Sequence, residues 1–506
     1  MSERPRFAAI DLGAESGRVM VGEVSDDGVE LSEAHRFSNR PVRLPDGLRW
    51  DLPRLLRDSL DGLAAAAAGG RRLCGVGVDG WGVDYGLLDE CERLLGLPFH
   101  YRDARTDGLL EQAFQRVSRD ELFAATGIQT MPINTAFQLL ADEGTPMLEA
   151  AQSIALVPDL LVLWLCGGLA NEATVASTTG LLQAGAAHWA RQVIEALGIP
   201  LRLFKEVVEP GTRVGTLIRA HADETGLEAG VPVFAVASHD TASAFVAAPM
   251  RDPREVAVLC SGTWSLLGIE CQQPVLSEAA RAANLTNERG LDGTTRLLKN
   301  VMGLWLLQEC RRACNGEVSY EDLLRLADEA DGDVPLFDPD ADQLLTPGDM
   351  PQRIADVCWK SGQDPPEGRG AVVRSIVASL ACKYRYVMEH LEHVVRRELR
   401  AVHLVGGGVK NALLCQLTAD LTGRSVLAGP VEASALGNVL VQARAAGWFG
   451  SLAEMREATR ASMEPRVYDP GSGRDQHEAI YQRFLEVTGL QTSASGPSDE
   501  RVGGHA

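Results

Sequence analysis

Two stretches of this chain share one design, and that repetition limits what the chain can fold into more than any other feature. Phe7-Ala-Ala-Ile-Asp-Leu-Gly-Ala-Glu-Ser-Gly-Arg-Val-Met-Val-Gly-Glu-Val24 reads as strand, tight turn, strand, with Gly13-Ala-Glu-Ser-Gly17 as the turn. Val256-Ala-Val-Leu-Cys-Ser-Gly-Thr-Trp-Ser-Leu-Leu-Gly-Ile-Glu270 reads the same way around Ser261-Gly-Thr263. Each turn combines glycine with hydroxyl residues, so its backbone amides lie open to a bound group. Between the two, the pattern breaks at Ala247-Ala-Pro-Met-Arg-Asp-Pro-Arg-Glu255. The reading is an α/β chain of two similar halves, 1–247 and 256–485, each a central mixed sheet flanked by helices. A hinge at 248–255 joins them, and the cleft between them faces both turns. The polar run over 490–506 predicts a disordered tail.

Charge narrows the partners. The 506-residue chain carries a net charge of −21, which argues against nucleic acid or an anionic membrane as a partner. A phosphorylated ligand stays compatible if local amides and a metal ion handle its charge. The ten cysteines include no C-x-x-C pair, which predicts reduced thiols and a cytoplasmic protein. The N-terminal residues lead straight into a strand pattern, with no signal peptide. Leu156 to Leu169 is apolar, but Pro158 and Asp159 interrupt it and it is too short to span a bilayer. It predicts a buried helix.

Chemistry concentrates in a few segments. Val231-Pro-Val-Phe-Ala-Val-Ala-Ser-His-Asp-Thr-Ala-Ser-Ala-Phe245 runs from a buried strand into a small-residue helix. Asp240 then falls beyond the C-terminal end of a strand, where ligands bind in open α/β sheets. It is either a general base in a cleft or a helix cap, and the segment alone favours the cap. Asp11, at the end of the first strand, is either a metal-binding carboxylate or the rim of a plain hairpin. Gly75, Gly77 and Gly80 match G-x-G-x-x-G, but a strand rather than a helix follows, so a dinucleotide fingerprint is rejected. Instead Asp79-Gly-Trp-Gly82 joins two strands. Trp81 there is either an exposed platform for a sugar, flanked by Asp79 and Asp84, or a core residue. The two arginines in Pro98 to Arg105 form a ligand wall or an ion pair. Asn171 to Gln183 reads as a Thr/Ser-rich loop, Pro210 to Gly215 as a turn, and 109–125 as one helix. Asn300 is expected at a helix start, with Gln308 two turns on. Gly406 to Gly408 reads as an adenosine floor or a strand-to-helix turn.

From about Phe7 to Gly447 these pieces resemble the FGGY carbohydrate kinase family, which uses the actin-like (ribonuclease H-like) ATPase fold. The resemblance rests on Asp11-Leu-Gly-Ala-Glu-Ser-Gly-Arg18, Asp79-Gly-Trp-Gly-Val-Asp84 and Ser238-His-Asp-Thr-Ala-Ser-Ala244. Ser261-Gly-Thr-Trp-Ser265, Leu298-Lys-Asn-Val-Met-Gly-Leu-Trp305, Gly406-Gly-Gly408 and Gly429-Pro-Val-Glu-Ala-Ser434 complete it. It implies transfer of the ATP γ-phosphoryl group to the 1-hydroxyl of a ketose, L-rhamnulose, with Asp240 as base. L-Fuculose, xylulose, glycerol, or a non-catalytic actin-like ATPase are the alternatives. Gly82, His239, Asp240, Thr241 and Asn300 would contact the ketose. Ala14, Glu15, Ser16, Gly17, Arg18, Thr263, Gln308 and Gly407 would contact ATP, and Asp11 would hold Mg²⁺ through water.

Overall fold

The structure is a computed structural model that describes residues 4–492 except 26, 315–317 and 331. The expected tail, beyond residue 492, lies outside the described residues. Six strands form the first sheet: β1 (Arg6–Leu12), β2 (Ser16–Ser25), β3 (Gly28–Ser38), β4 (Gly75–Gly80), β5 (Thr212–Thr216) and β6 (Pro232–Ala235), in the order β5-β6-β4-β1-β2-β3. Seven form the second: β7 (Val256–Ser261), β8 (Trp264–Cys271), β9 (Thr286–Arg289), β10 (Thr295–Met302), β11 (Ala401–Val405), β12 (Ser425–Ala428) and β13 (Arg466–Tyr468), in the order β9-β10-β8-β7-β11-β12-β13.

The two sheets repeat one plan. In each, the opening hairpin pairs antiparallel with a third strand on one side. On the other side two parallel strands follow, and an antiparallel strand closes the edge. The second sheet adds only β9. Apolar strands buried on both faces demand helices on both sides, and separate apolar cores form around each sheet. This duplicated architecture is the actin-like fold.

The chain does not keep its halves apart. After β12 it crosses back, and the helix Ala433–Ala445 lies against the first sheet, where Gln442 donates to the Ala8 carbonyl (2.9 Å). Gly75 and Gly77, the pair in the rejected fingerprint, leave the groove it needs: a Cβ on either would meet Gln442 or Asn438 within 3 Å. The same helix crosses Asp240–Ala247 so closely that a Cβ at Gly437 would sit 1.8 Å from the Ser243 carbonyl oxygen. Helix Leu452–Ser462 follows onto β3, where the Ser462 hydroxyl accepts from the Val29 amide (2.7 Å). A third apolar core, drawn from both sheets and these helices, fills the junction.

Several local expectations need correction. Residues 109–125 form two helices, Leu109–Arg116 and Arg119–Thr126, because Ser118 and Glu121 make a capping box between them. The expected loop at 171–183 contains a two-residue strand, the helix Ala173–Ala176 and a 3₁₀ turn, started by Glu172 accepting from the Thr174 and Val175 amides. The turn at 210–215 is mostly the edge strand β5. Asn300 lies within β10, and the helix begins only at Trp305. Val157–Cys166 is the buried helix expected, and among the described residues no helix is long and apolar enough to cross a membrane.

Candidate active site

Both hairpin turns face one cavity of about 690 Å³ between the sheets. Of the residues singled out above as binding or catalytic, Asp11, Ala14, Glu15, Ser16, Arg18, Gly82, His239, Asp240, Thr241, Asn300, Thr263, Gln308 and Gly407 all line it. Gly17 does not. It pairs with Leu12 and Phe37 in the sheet, and a Cβ there would enter the Phe37 ring at 2.2 Å.

Asp240 is the first residue of its helix, with His239 at the N-cap position and no side chain capping there. One carboxylate oxygen, Oδ1, accepts from the Thr241 amide (2.5 Å) and hydroxyl (3.0 Å) and lies 3.5 Å from His239 Nε2. Oδ2 has no donor among the described residues, and about 30% of the side chain faces the cavity. Desolvation in the cleft holds its pKa above the ordinary carboxylate value, outweighing the neighbouring His239. The backbone that leads into it is clamped. The Ser238 amide donates to Glu172 Oε2 (3.1 Å), and the His239 amide donates to Thr174 Oγ1 (3.1 Å).

Of the two readings of Trp81, the structure takes the core one. The ring is 6% exposed, its centroid 4.2 Å from that of Trp50, with one edge on the cavity. Asp79 and Asp84 do not offer oxygens to a sugar. Asp84 is buried and accepts from Trp50 Nε1 (2.5 Å), Trp81 Nε1 (3.1 Å), Gln138 Nε2 (2.8 Å) and the Tyr101 amide (3.2 Å). Burial pushes its pKa up to about 6, with those donors pulling the other way. Asp79 is buried under Asn438, which donates to it (2.5 Å). Between them Val83 adopts φ 66°, a left-handed conformation that costs a β-branched residue roughly 1–3 kcal/mol. Thr178 and Thr135 hold it there, the first accepting from its amide (3.0 Å) and the second donating to its carbonyl (2.6 Å). Such an outlier at a cavity wall marks a shaped surface. Asn300 reaches the cavity from β10, its amide donating to Gln129 Oε1 (2.8 Å).

At the other end, the second hairpin rests on the glycine run. A Cβ at Gly408 would collide with Ser261 Oγ at 2.2 Å, whereas Gly406 and Gly407 border the cavity. Gln308 Oε1 is buried beside this space with no hydrogen-bond partner among the described residues. Arg18, Arg36, Arg311 and Lys410 line it, in a protein whose net charge is −21. Arg18 Nε and Nη2 hold Asp11 Oδ2 (3.0 and 2.9 Å), and Arg18 also pairs with Glu432 across the cleft. Asp11 Oδ1 carries no donor among the described residues, so this oxygen suits a hard cation that comes with a phosphate. The arginines of the 98–105 loop form ion pairs and inter-half contacts rather than the ligand wall. Arg105 pairs with Asp142 (2.6 Å). Arg102 crosses to the second half, over the Trp305 ring (4.0 Å) and onto the Leu345 carbonyl. Sequence reasoning missed Glu172, Thr178, Gln129 and Glu288, none of which belongs to a motif.

Duplicated halves, hairpins turned toward one another and a carboxylate beyond a strand end define the two-domain phosphotransferases of the actin-like fold. Residues 7–247 match the N-terminal domain and 257–446 the C-terminal domain of the FGGY family of carbohydrate kinases. The chain belongs to that family, and it is a carbohydrate kinase. It is 42% identical over 469 residues to a rhamnulokinase of Bacteroides thetaiotaomicron, covering 92% of this chain and 96% of the relative. A rhamnulokinase of Pectobacterium atrosepticum is 41% identical over 500 residues, with 97% and 98% covered. Among solved structures, gluconate kinase from Lactobacillus acidophilus superposes with TM-score 0.77 at 13% identity, covering 96% and 97% of the two chains. Plasmodium falciparum glycerol kinase with ADP gives 0.75 at 15%, covering 96% and 99%. These likenesses concern the fold.

Proposed function

We propose that this kinase transfers the γ-phosphoryl group of ATP to the 1-hydroxyl of L-rhamnulose, giving L-rhamnulose 1-phosphate in L-rhamnose breakdown. The observation that carries the reading is one carboxylate oxygen, Asp240 Oδ2, that has no donor among the described residues, on a side chain that lines a cavity bordered by both hairpin turns. The near full-length likeness to rhamnulokinases selects the ketose. Asp240 takes the acceptor hydroxyl's proton, while Gly82, His239, Thr241 and Asn300 contact the ketose. Ala14, Glu15, Ser16, Arg18, Thr263, Gln308 and Gly407 contact the nucleotide, and Gly17 admits the Phe37 ring beside the turn. Magnesium bound with ATP supplies charge neutralisation on the transferring group, and Asp11 would hold it through water. Rotation of the two domains about 248–255 would exclude water, a competing acceptor. The unpaired cysteines suit a reducing cytoplasm, and the negative charge suits a small-molecule enzyme without nucleic-acid or membrane partners.

A coupled ADP-release assay against L-rhamnulose, L-fuculose, xylulose and glycerol tests this. The highest kcat/KM is expected with L-rhamnulose. No ADP release dependent on that ketose would overturn the assignment.

A further inference from the structure

Glu288 and Arg296 face each other across β9 and β10 of the second sheet. Their side chains are 3% and 1% exposed, and they pair at 3.1 Å. An isolated buried ion pair is a poor source of stability, because desolvation offsets the attraction. This pair is not isolated. His239, from the first sheet's side of the cleft, brings its Nδ1 within 3.2 Å of Glu288 Oε2 and 3.2 Å of Arg296 Nη2. The opposite ring nitrogen, Nε2, then points at Asp240 Oδ1. With Thr241 on the same oxygen, Oδ2 is the oxygen of Asp240 left open to the cavity. Arg296 can only donate, so Nδ1 accepts its hydrogen bond and the proton of the neutral ring sits on Nε2, toward Asp240, while Glu288 pairs with the guanidinium that orients the ring.

We infer that Glu288 is a positioning residue for the base, acting through the Arg296 guanidinium that hydrogen-bonds the His239 ring. It fixes the His239 ring, and the ring fixes which Asp240 oxygen faces the acceptor hydroxyl. Because Glu288 and Asp240 belong to different halves, the base is fully oriented only when the halves meet. The inference rests on Asp240 acting as the base in the proposed reaction. Its distinctive consequence is that Glu288, although it borders the cavity, exerts its effect on turnover through His239.

A double-mutant cycle tests it, with kcat and both KM values measured for wild type, Glu288→Gln, His239→Ala and the combination. Glu288→Gln is expected to lower kcat by up to about 100-fold, the cost of a small misplacement of reacting groups. Both KM values should change by less than about threefold, as expected when no ground-state contact is lost. In the His239→Ala background the same substitution should change kcat by less than about threefold, because the path through the ring is already gone. Multiplicative losses would make Glu288 merely structural and overturn the inference. A dominant rise in ketose KM would make it a substrate contact and also overturn it. If Glu288→Gln fails to fold, Glu288→Gln/Arg296→Met removes both charges and enters the same cycle. Imidazole nitrogen NMR reads the contact without turnover. The His239 ring signals, assigned by their loss in His239→Ala, should shift in the Glu288 variant, and unchanged signals would overturn the inference. Lack of wild-type turnover with any ketose would instead sink the proposed reaction, leaving the NMR result to decide the contact.

Discussion

At the residue scale, the arrangement around Asp240 separates a base from a cap. Asn at this position keeps the size and still accepts from Thr241, but it takes no proton. Loss of a general base typically costs about 10²–10⁴-fold, so Asp240→Asn is expected to lose that much kcat with little change in either KM. Steady-state kinetics checks this, and near-normal turnover would leave Asp240 a structural residue. Burial raises its pKa, so the acid limb of the kcat/KM–pH profile should lie above the ordinary carboxylate range. Glu172, which clamps the same loop, titrates with a consequence for stability. Burial lifts it from 4.5 to about 7 despite its four donors. Between those pH values the folded state holds a proton that the unfolded state has released. The contribution of this carboxyl to stability is therefore fully present below 4.5 and is lost as pH rises to about 7, by on the order of 3 kcal/mol. Denaturant unfolding at pH 5 and 7.5 should show that fall in wild type, reduced in Glu172→Gln. The Ser-His-Asp-Thr run announced itself in sequence because a strand ends there and small residues follow. Glu288 did not, since its meaning comes from cross-strand register with Arg296 and from a histidine in the other half.

At the scale of elements, long apolar strands and capped helices were legible, and the short pieces were not. The two-residue strand at Asn171 and the one-turn helix after it carry no periodicity, and a buried carboxylate from Glu172 holds them. The edge strand β5 hides behind Pro210-Gly-Thr, a turn-like run that the neighbouring strand converts to sheet. The glycines of β4 match a dinucleotide fingerprint that the strand after them already rules out, and what the sequence does not show is that they serve a helix more than 350 residues further along the chain. Gly437 makes the same point from the other side. A methyl group there would press on the Ser243 backbone, which cannot swing away like a side chain. Gly437→Ala should cost roughly 1–3 kcal/mol or more, as overpacking does. Urea denaturation reads the loss, and an unchanged midpoint would mean that the helix pair can slide apart freely.

At the scale of the whole molecule, buried Arg102 ties the halves together by stacking over Trp305 and reaching Leu345. A desolvated cation–π contact contributes about 2 kcal/mol, enough to bias an open–closed balance. Arg102→Ala should therefore show a larger radius of gyration than wild type in small-angle scattering, and saturating ketose should narrow the gap. Identical profiles would mean that the loop holds nothing closed. The return of helix Ala433–Ala445 to the first sheet also sets a timetable for synthesis. When residue 247 leaves the ribosome, β1, β4 and β6 are all present, but the face that Gln442 and Asn438 cover is bare and Asp79 lacks its donor. Roughly 190 more residues must be made before that helix exists, about 10–40 s at common elongation rates. Throughout that wait the nascent first half exposes an apolar sheet face, so it is a natural client for chaperones that hold unfinished chains.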